Sequence, residues 1–218
     1  MRRREFSRAA LLSSAAGLAL PLIHTPAAAQ PRAPKEGADF VKLSRPAPVD
    51  APEGKVEVVE FFGYWCPHCA RFEPAFDGWQ KKAPSHVVVR RIPVAFRDDN
   101  VPLQRLYYVL EAMGKVDELH GKVFTAIHIE KQRLGTQDEI ANWVAKQGID
   151  KAKFLEFYNS FGVAGKARRA SQLVEAYQVD GVPAMGVAGR YFTSGSLTGT
   201  MERVLQVVEH LVETSRKG

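Results

Sequence analysis

The 218-residue chain is long enough for one domain, or for one domain that carries an insertion. Hydrophobic residues make up 45% of it, which allows a sizeable core and excludes a chain that is disordered throughout. The net charge of +6 indicates an anionic partner such as nucleic acid only if the basic residues cluster. Two cysteines exclude both a disulfide framework and an all-cysteine zinc site.

Residues 1–29 have the pattern of an export signal peptide. A basic start with Arg2, Arg3, Arg4 and Arg8 precedes an apolar stretch over residues 9–23, and the small residues 27–29 form a cleavage site. The apolar stretch is too short and too interrupted for a membrane span. Residues 3–6 resemble a twin-arginine signal, although an ordinary secretory signal remains open. By either route the mature protein reaches a compartment where disulfides persist.

Much of the positive charge belongs to this signal peptide. Residues 1–29 hold four of the 30 basic residues and one of the 24 acidic residues, which leaves 26 against 23 and a net charge of +3. The pairs Arg90-Arg91 and Arg168-Arg169 are isolated in the remaining sequence. We therefore expect no nucleic-acid partner.

The mature chain predicts a β-α-β unit, a block of helices and a final β-β-α unit. Residues 30–54 form a lead with one short strand at 40–43. Residues 55–62 and 86–94 predict strands around a helix at 66–82. Two further short strands follow at 184–187 and 190–193, and Thr200 opens the last helix.

Helical spacing dominates residues 101–179. Thr136 and Glu139 form a capping box, Gly148 is a stop signal, and Asp150 can cap the next helix. We therefore predict an α/β fold in which 101–179 is a helical insertion into a domain formed by 55–100 and 180–218.

Both cysteines lie in Cys66-Pro67-His68-Cys69, between a predicted strand and helix. A disulfide between them would stabilise the fold only weakly, because closing so short a loop contributes roughly 2 kcal/mol to the free energy of unfolding, against about 3 kcal/mol for a fifteen-residue loop. A zinc half-site and an inert buried disulfide are the alternatives. No second cysteine pair exists, and His86, His120, His128 and His210 show no ligand spacing. Redox chemistry explains the pair best.

The position of the motif assigns roles to its residues. Pro67 suits the first helical position, so Cys66 lies at the helix cap, where free N–H groups and the positive end of the helix dipole stabilise a thiolate. His68 adds to this if it is protonated or donates a hydrogen bond. Cys66 is the predicted nucleophile, and Cys69, one turn later, is the resolving thiol. Stabilising the reduced form makes the disulfide a stronger oxidant, which predicts a donor of disulfides.

Residues 60–69, EFFGYWCPHC, followed by Phe72-Glu73-Pro74, resemble the active-site segment of the DsbA family of thiol:disulfide oxidoreductases. Gly181-Val182-Pro183 resembles that family's loop with a cis proline, and the resemblance extends over residues 40–213. It implies a thioredoxin fold, a periplasmic location and oxidation of newly exported reduced proteins. It also implies a quinone-linked membrane partner of the DsbB type that reoxidises the protein, and no metal or organic cofactor.

The resemblance also carries over single residues. Glu60 corresponds to an acid that is buried under the cysteines in the family. We therefore expect Glu60 to have a raised pKa and to relay a proton to or from Cys69. The alternative is that Glu60 lies exposed on a half-solvated face of its strand. Pro183 is expected to be cis, leaving the backbone of Val182 free to pair with substrate. Tyr64 and Trp65 are expected to line the substrate groove with them.

The sequence leaves two alternatives to a disulfide donor. One is a disulfide isomerase or reductase of the same fold, although such enzymes usually need a dimerisation module or a membrane anchor, and we expect a monomer here. The other is a non-catalytic chaperone module that binds peptides. Residues 185–187, Met-Gly-Val, are less β-branched than expected for their strand, and we interpret them as tuning the groove.

Overall fold

A mixed five-stranded sheet forms the centre of residues 32–217, the part of the chain that the computed structural model describes. Residues 33 onward form one unit, and the predicted export signal lies outside the described residues. The strands are β1 (Val41–Lys42), β2 (Val56–Phe62), β3 (Val87–Pro93), β4 (Ala184–Val187) and β5 (Tyr191–Ser194), in the order β1-β5-β4-β2-β3.

Strand β2 is parallel to β3 and antiparallel to β4. Every residue of β2 is buried, which explains why its sequence is mostly apolar on both faces instead of alternating. Two acids, Glu57 and Glu60, share this burial.

Helix α1 (Pro67–Gln80) connects β2 to β3, and a block of helices lies between β3 and β4. The block contains α2 (Val101–Ala112), α3 (Val116–Phe124), α4 (Gln137–Lys146), α5 (Lys151–Tyr158) and α6 (Phe161–Ala176). A 3₁₀ turn (Asp98–Asn100) precedes α2, and a π-helical turn (Thr125–Ile129) follows α3. Helices α7 (Gly195–Thr198) and α8 (Met201–Lys217) end the described chain. The predicted α/β class with a helical insertion is confirmed.

Local signals set the helix ends as predicted. Thr136 and Glu139 exchange both hydrogen bonds of a capping box at the start of α4. Asp150 accepts a hydrogen bond of 2.7 Å from the backbone N–H of Lys153. Gly148 follows α4 with a φ of +85°, a conformation that favours glycine.

Two clusters of buried residues lie against the sheet. One joins Val58 of β2 to Phe76 of α1 and Val208 of α8. The other joins Phe61 and the two cysteines to the helical block. The redox pair therefore rests on the core that the sheet shares with the inserted helices. No helix within residues 32–217 is both long enough and apolar enough to cross a membrane.

The structure corrects the interpretation of Gly186 as a residue that tunes the groove. A Cβ at Gly186 would overlap the ring of Tyr177. That ring packs edge-on against Phe61 at 5.2 Å between centroids, and its hydroxyl accepts a hydrogen bond of 3.0 Å from the N–H of Gly189. Glycine at this strand position therefore makes room for a buried tyrosine and serves packing.

Candidate redox site

The two cysteines lie where a short turn connects β2 to α1. Cys66 is the N-cap of α1, Pro67 occupies the first turn, and the N–H of Cys66 donates to the carbonyl of Gly63 at 3.0 Å. Both side chains are thiols in the structure. Cys66 retains 4% of its surface and Cys69 retains none. Cys66 is thus the one of the two that an incoming thiolate can approach.

The surroundings of the two sulfurs shift their pKa values in opposite directions. A hydrogen bond from the Cys69 thiol, helped by the backbone N–H groups of Cys69 and His68, lowers the pKa of Cys66 from 9.0 to about 6. Burial raises the pKa of Cys69 far above its ordinary value, and Cys66 and Glu60 act in the same direction. At neutral pH one sulfur is a thiolate and the other holds its proton. This is the asymmetry that a nucleophile and a resolving thiol require.

His68 contributes less to the thiolate than the sequence suggests. Its ring is exposed, and its Nδ1 lies 2.7 Å from the guanidinium of Arg71. The charge of His68 lowers the pKa of Cys66 less than the hydrogen bond from Cys69 does, and less than its own backbone N–H. The Cys69 thiol and the backbone N–H groups at the start of α1 therefore stabilise the Cys66 thiolate more than the ring of His68 does.

The Val182–Pro183 peptide bond is cis and lies beside the redox pair. The thiol of Cys66 lies 3.3 Å from the carbonyl oxygen of Val182, although 116 positions separate them in the sequence. Val182 and Pro183 line a cavity of about 380 Å³ together with His68, Ser196 and Met201. The cavity is a candidate groove for an extended segment of a substrate protein.

The structure corrects the prediction that Tyr64 lines this groove. Tyr64 is only 1% exposed, and its hydroxyl lies 2.7 Å from Nδ1 of His120 in the interior. A buried tyrosine needs such a partner for its hydroxyl. Trp65 is half-buried; its indole N–H donates to the carbonyl of Val94 at 3.2 Å, and its ring meets the exposed ring of Phe96. Trp65 does not line the cavity around Val182.

Glu60 is buried, with 1% of its surface exposed, so the alternative of an exposed position is excluded. Burial raises its pKa to about 8, and the attraction of Arg91 only partly offsets this. Its Oε2 accepts a hydrogen bond of 3.0 Å from Arg91, and its Oε1 has no hydrogen-bond partner within the described residues. Glu60 therefore carries a proton at neutral pH, close enough to Cys69 to influence its ionisation.

Three residues that the sequence analysis did not assign complete a buried polar cluster around Glu60. Nη1 of Arg91, on β3, lies 2.6 Å from Glu73 of α1 and 2.7 Å from Nε2 of His120 on α3. The same nitrogen of His120 lies 3.2 Å from Glu73. We call Glu60, Glu73, Arg91, His120 and Tyr64 the buried polar cluster.

Charge in this cluster is distributed unevenly. Burial alone would raise the pKa of Glu73, but hydrogen bonds from His120 and Arg91 outweigh it, so the pKa of Glu73 is lowered. Burial lowers the pKa of His120. At neutral pH the cluster thus pairs one carboxylate with one guanidinium and holds Glu60 and His120 neutral.

A signal for this cluster exists in the sequence but depends on pairing two strands. In the parallel register of β2 and β3, Glu60 lies opposite Arg91. In the sequence Arg91 is only one member of an isolated basic pair, but its place in a valine-rich, half-buried strand opposite Glu60 marks it as the partner of an acid. His120 lies on α3 beside the buried residues Leu119 and Val123, a position that a solvated histidine would not take.

Within residues 32–217, no group of three or more histidine, cysteine or acidic side chains is arranged to hold a metal ion.

Comparisons with known proteins identify relatives that share both the sequence and the fold of this chain. Residues 57–206 match the family model of the DSBA-like thioredoxin domain. The thiol:disulfide interchange protein DsbA of Bordetella parapertussis is 46% identical over 207 residues, which cover 94% of this chain and 96% of that protein. The protein of the same name from Pseudomonas aeruginosa is 44% identical over 181 residues, 83% of this chain and 85% of its own length. The crystal structure of Pseudomonas aeruginosa DsbA aligns with a TM-score of 0.79 at 42% identity, covering 83% of this chain and 94% of that chain.

Proposed function

The chain belongs to the DsbA-like thioredoxin family and is a thiol:disulfide oxidoreductase, and we propose that it donates its Cys66–Cys69 disulfide to newly exported, reduced proteins in the periplasm. The observation that carries this proposal is the opposite ionisation of the two sulfurs, because a stabilised Cys66 thiolate makes the disulfide a strong oxidant. A quinone-linked membrane protein of the DsbB type reoxidises it, and the enzyme works as a monomer.

The proposed reaction has two exchange steps. A substrate thiolate attacks Cys66; the new sulfur–sulfur bond forms as the Cys66–Cys69 bond breaks, and its electron pair goes to the sulfur of Cys69. Cys69, whose pKa is raised, takes up a proton. A second substrate thiolate attacks the mixed disulfide, and Cys66 leaves as the stable thiolate. The substrate is oxidised by two electrons and the enzyme is reduced by two.

The surrounding residues have supporting roles. Glu60 supplies the proton to Cys69 and takes it back when the enzyme is reoxidised. The backbone of Val182, before Pro183, pairs with an extended segment of the substrate. Trp65, with Phe96, provides an apolar surface for substrate beside Cys66.

Disulfide transfer to a reduced protein with two thiols tests the proposal. We expect the oxidised wild type to transfer its disulfide and the Cys66→Ser variant to transfer none. Cys69→Ser is the control: it also has no disulfide to transfer, but its Cys66 thiolate attacks the disulfide of an oxidised substrate protein and forms a mixed disulfide as that sulfur–sulfur bond breaks, whereas Cys66→Ser forms none. Equal transfer by wild type and Cys66→Ser would refute the proposed role of Cys66.

Equilibration of the Cys66–Cys69 pair with glutathione distinguishes a disulfide donor from a disulfide isomerase or reductase and from a chaperone module. We expect the pair to be reduced at glutathione ratios that leave an ordinary structural disulfide intact. A strongly reducing pair would instead favour an isomerase or reductase. Binding of unfolded protein without any exchange would favour a chaperone module.

The pH dependence of disulfide reduction tests the role of Glu60. In the wild type, the rate constant for attack by a fixed concentration of substrate thiolate should fall as pH rises through about 8, where Glu60 loses its proton. We expect Glu60→Gln to abolish this decrease. Glu57→Gln is a matched control, since Glu57 is equally buried on the same strand but lies with Arg90 and Asp50. A Glu60→Gln profile identical to that of the wild type would rule out the relay.

A further inference from the structure

We propose that a cavity between β3, α2 and α6 binds a phosphoryl group, either as inorganic phosphate or as the phosphate of a small ester or a lipid headgroup. The cavity has a volume of about 180 Å³, and its polar lining consists of four basic side chains, two acids and a tyrosine. Neither cysteine lines it. The proposal therefore concerns a second site, separate from the redox pair.

The fold brings together two basic pairs that are isolated in the sequence. Arg90 and Arg91 lie on β3, and Arg169 lies on α6 with Lys166 one turn before it. All four side chains line the same cavity, whereas Arg168, the other member of the second pair, does not. Cations that converge on a concave surface from two elements attract an anion.

Most of this positive charge already has a partner. Three of the four cations form ion pairs, namely Arg90 with Asp50, Lys166 with Glu111, and Arg91 with Glu73. Arg169 is the fourth, and it forms no ion pair with any carboxylate of the described residues 32–217. The cavity thus has one positive charge that the protein leaves unbalanced, and a bound anion would balance it.

The hydroxyl of Tyr108 is a second group without a partner. Tyr108 is 5% exposed, and its hydroxyl makes no hydrogen bond with the part of the chain that the structure describes. A buried tyrosine usually finds a partner for this group. Burial raises the pKa of Tyr108, while Arg90 and Arg169 act in the opposite direction, so the hydroxyl keeps its hydrogen and lies near both guanidinium groups. An anion in the cavity would accept a hydrogen bond from it.

The directions of these donors favour a phosphoryl group. A guanidinium donates through a planar fork that matches two oxygens of either a phosphate or a carboxylate. Here the donors reach the cavity from three elements: Arg90 on β3, Tyr108 on α2 and Arg169 on α6. The oxygens of a phosphate point to the corners of a tetrahedron and can meet all three, whereas the two oxygens of a carboxylate lie in one plane.

NMR titration of the nitrogen-15-labelled protein with inorganic phosphate tests the site. Chloride keeps the ionic strength constant, so that general screening of surface charge does not contribute. We expect the backbone N–H signals around Tyr108 and Arg169 to shift and to saturate in the millimolar range. Absence of saturable shifts at these residues would refute the proposal.

Two variants remove the groups that lack a partner. Arg169→Gln should weaken phosphate binding about tenfold or more, because charge-assisted hydrogen bonds are lost. Tyr108→Phe keeps the buried ring, and the loss of one neutral hydrogen bond should weaken binding about fivefold. Arg168→Gln is the matched control, since Arg168 is exposed on the same helix, as Arg169 is, but does not line the cavity. We expect this control to bind phosphate as the wild type does.

Two results would overturn the assignment. If Arg168→Gln weakens binding as much as Arg169→Gln does, the attraction belongs to the charge of α6 as a whole and not to the cavity. If acetate binds as tightly as phosphate, the site does not select a phosphoryl group. Both arginines are exposed, so neither substitution should disturb folding, and a Tyr108 variant that fails to fold leaves the decision to Arg169→Gln.

Two further probes distinguish the sources of the phosphoryl group. Glycerol phosphate represents a soluble ester, and binding that Arg169→Gln weakens would support such a ligand. Vesicles of phosphatidylglycerol, compared with vesicles of phosphatidylcholine, represent a lipid headgroup, and cosedimentation that Arg169→Gln abolishes would support this source. Vesicle binding that Arg169→Gln leaves unchanged would refute the headgroup as the ligand of the cavity.

Discussion

Replacing Cys69 by alanine should raise the pKa of Cys66, because the largest contribution to its thiolate is the hydrogen bond from the Cys69 thiol. A hydrogen bond to a charged group contributes about 1.5–3 kcal/mol, and a thiol is a weak donor, so the lower end applies. At 1.36 kcal/mol per pKa unit this is a rise of about one unit. The Cys66 thiolate in Cys69→Ala should therefore titrate near pH 7 instead of about 6.

The matched variant is Cys69→Ser, which keeps a donor of similar size at the same position. Its hydroxyl is a stronger donor than a thiol, so the pKa of Cys66 should stay at or below its wild-type value. Ultraviolet absorbance of the thiolate against pH gives both values, and the rate of alkylation by iodoacetamide checks them independently. His68→Ala should raise the pKa less than Cys69→Ala does, since it removes only the ring.

Two results would refute this reasoning. If Cys69→Ala and Cys69→Ser titrate at the same pH, the hydrogen bond does not stabilise the thiolate, and the free N–H groups of the helix end account for the shift. If His68→Ala raises the pKa more than Cys69→Ala does, the ring of His68 dominates, as the sequence motif alone suggests.

Two further predictions concern the packing around the site. Gly186→Ala should lower the free energy of unfolding by about 1–3 kcal/mol, because the added methyl group overlaps the Tyr177 ring. Gly78→Ala in α1 adds its methyl group to open space and should raise the free energy of unfolding by about 0.4–1 kcal/mol. Urea denaturation measures both values, and equal effects would contradict the packing argument. Arg91→Met leaves the buried carboxyl groups of Glu60 and Glu73 without their cation and should cost about 3–5 kcal/mol at pH 8. The pKa of Glu60, which burial already raises to about 8, would rise further without Arg91, so the loss of stability should grow as pH increases through about 8, and a loss that does not depend on pH would refute the electrostatic explanation.

Local sequence signals predicted the parts of the site that depend on neighbouring residues. Pro67 fixes the first turn of α1 and thereby places Cys66 at its N-cap. The capping box of Thr136 works in the same way, because its hydrogen bonds join residues three positions apart. The burial of Glu60 was implied by the family resemblance and not by the strand pattern alone, which left an exposed position open.

The direction of Tyr64 could not be predicted in this way. It lies two residues from Cys66, and an aromatic residue beside a redox motif is compatible with either the groove or the core. Its partner, His120, is 56 residues away on α3. The position of that helix depends on packing between the inserted block and the sheet, which periodicity within one segment does not reveal. The same applies to the contact between Cys66 and the Val182 carbonyl.

The buried polar cluster shows that the inserted helices contribute to the chemistry of the redox site as well as to packing. Glu60, Glu73 and Arg91 come from β2, α1 and β3, whereas His120 comes from α3. The pKa of Glu60 is raised by burial, and its partner Arg91 lies 2.7 Å from His120 of the inserted helices. A shift of α3 away from the sheet would admit water and return that pKa towards 4.5, so Glu60 would be ionised at neutral pH. It could then no longer give a proton to Cys69. The chemistry of the cysteines therefore depends on the docking of a segment that contains neither of them.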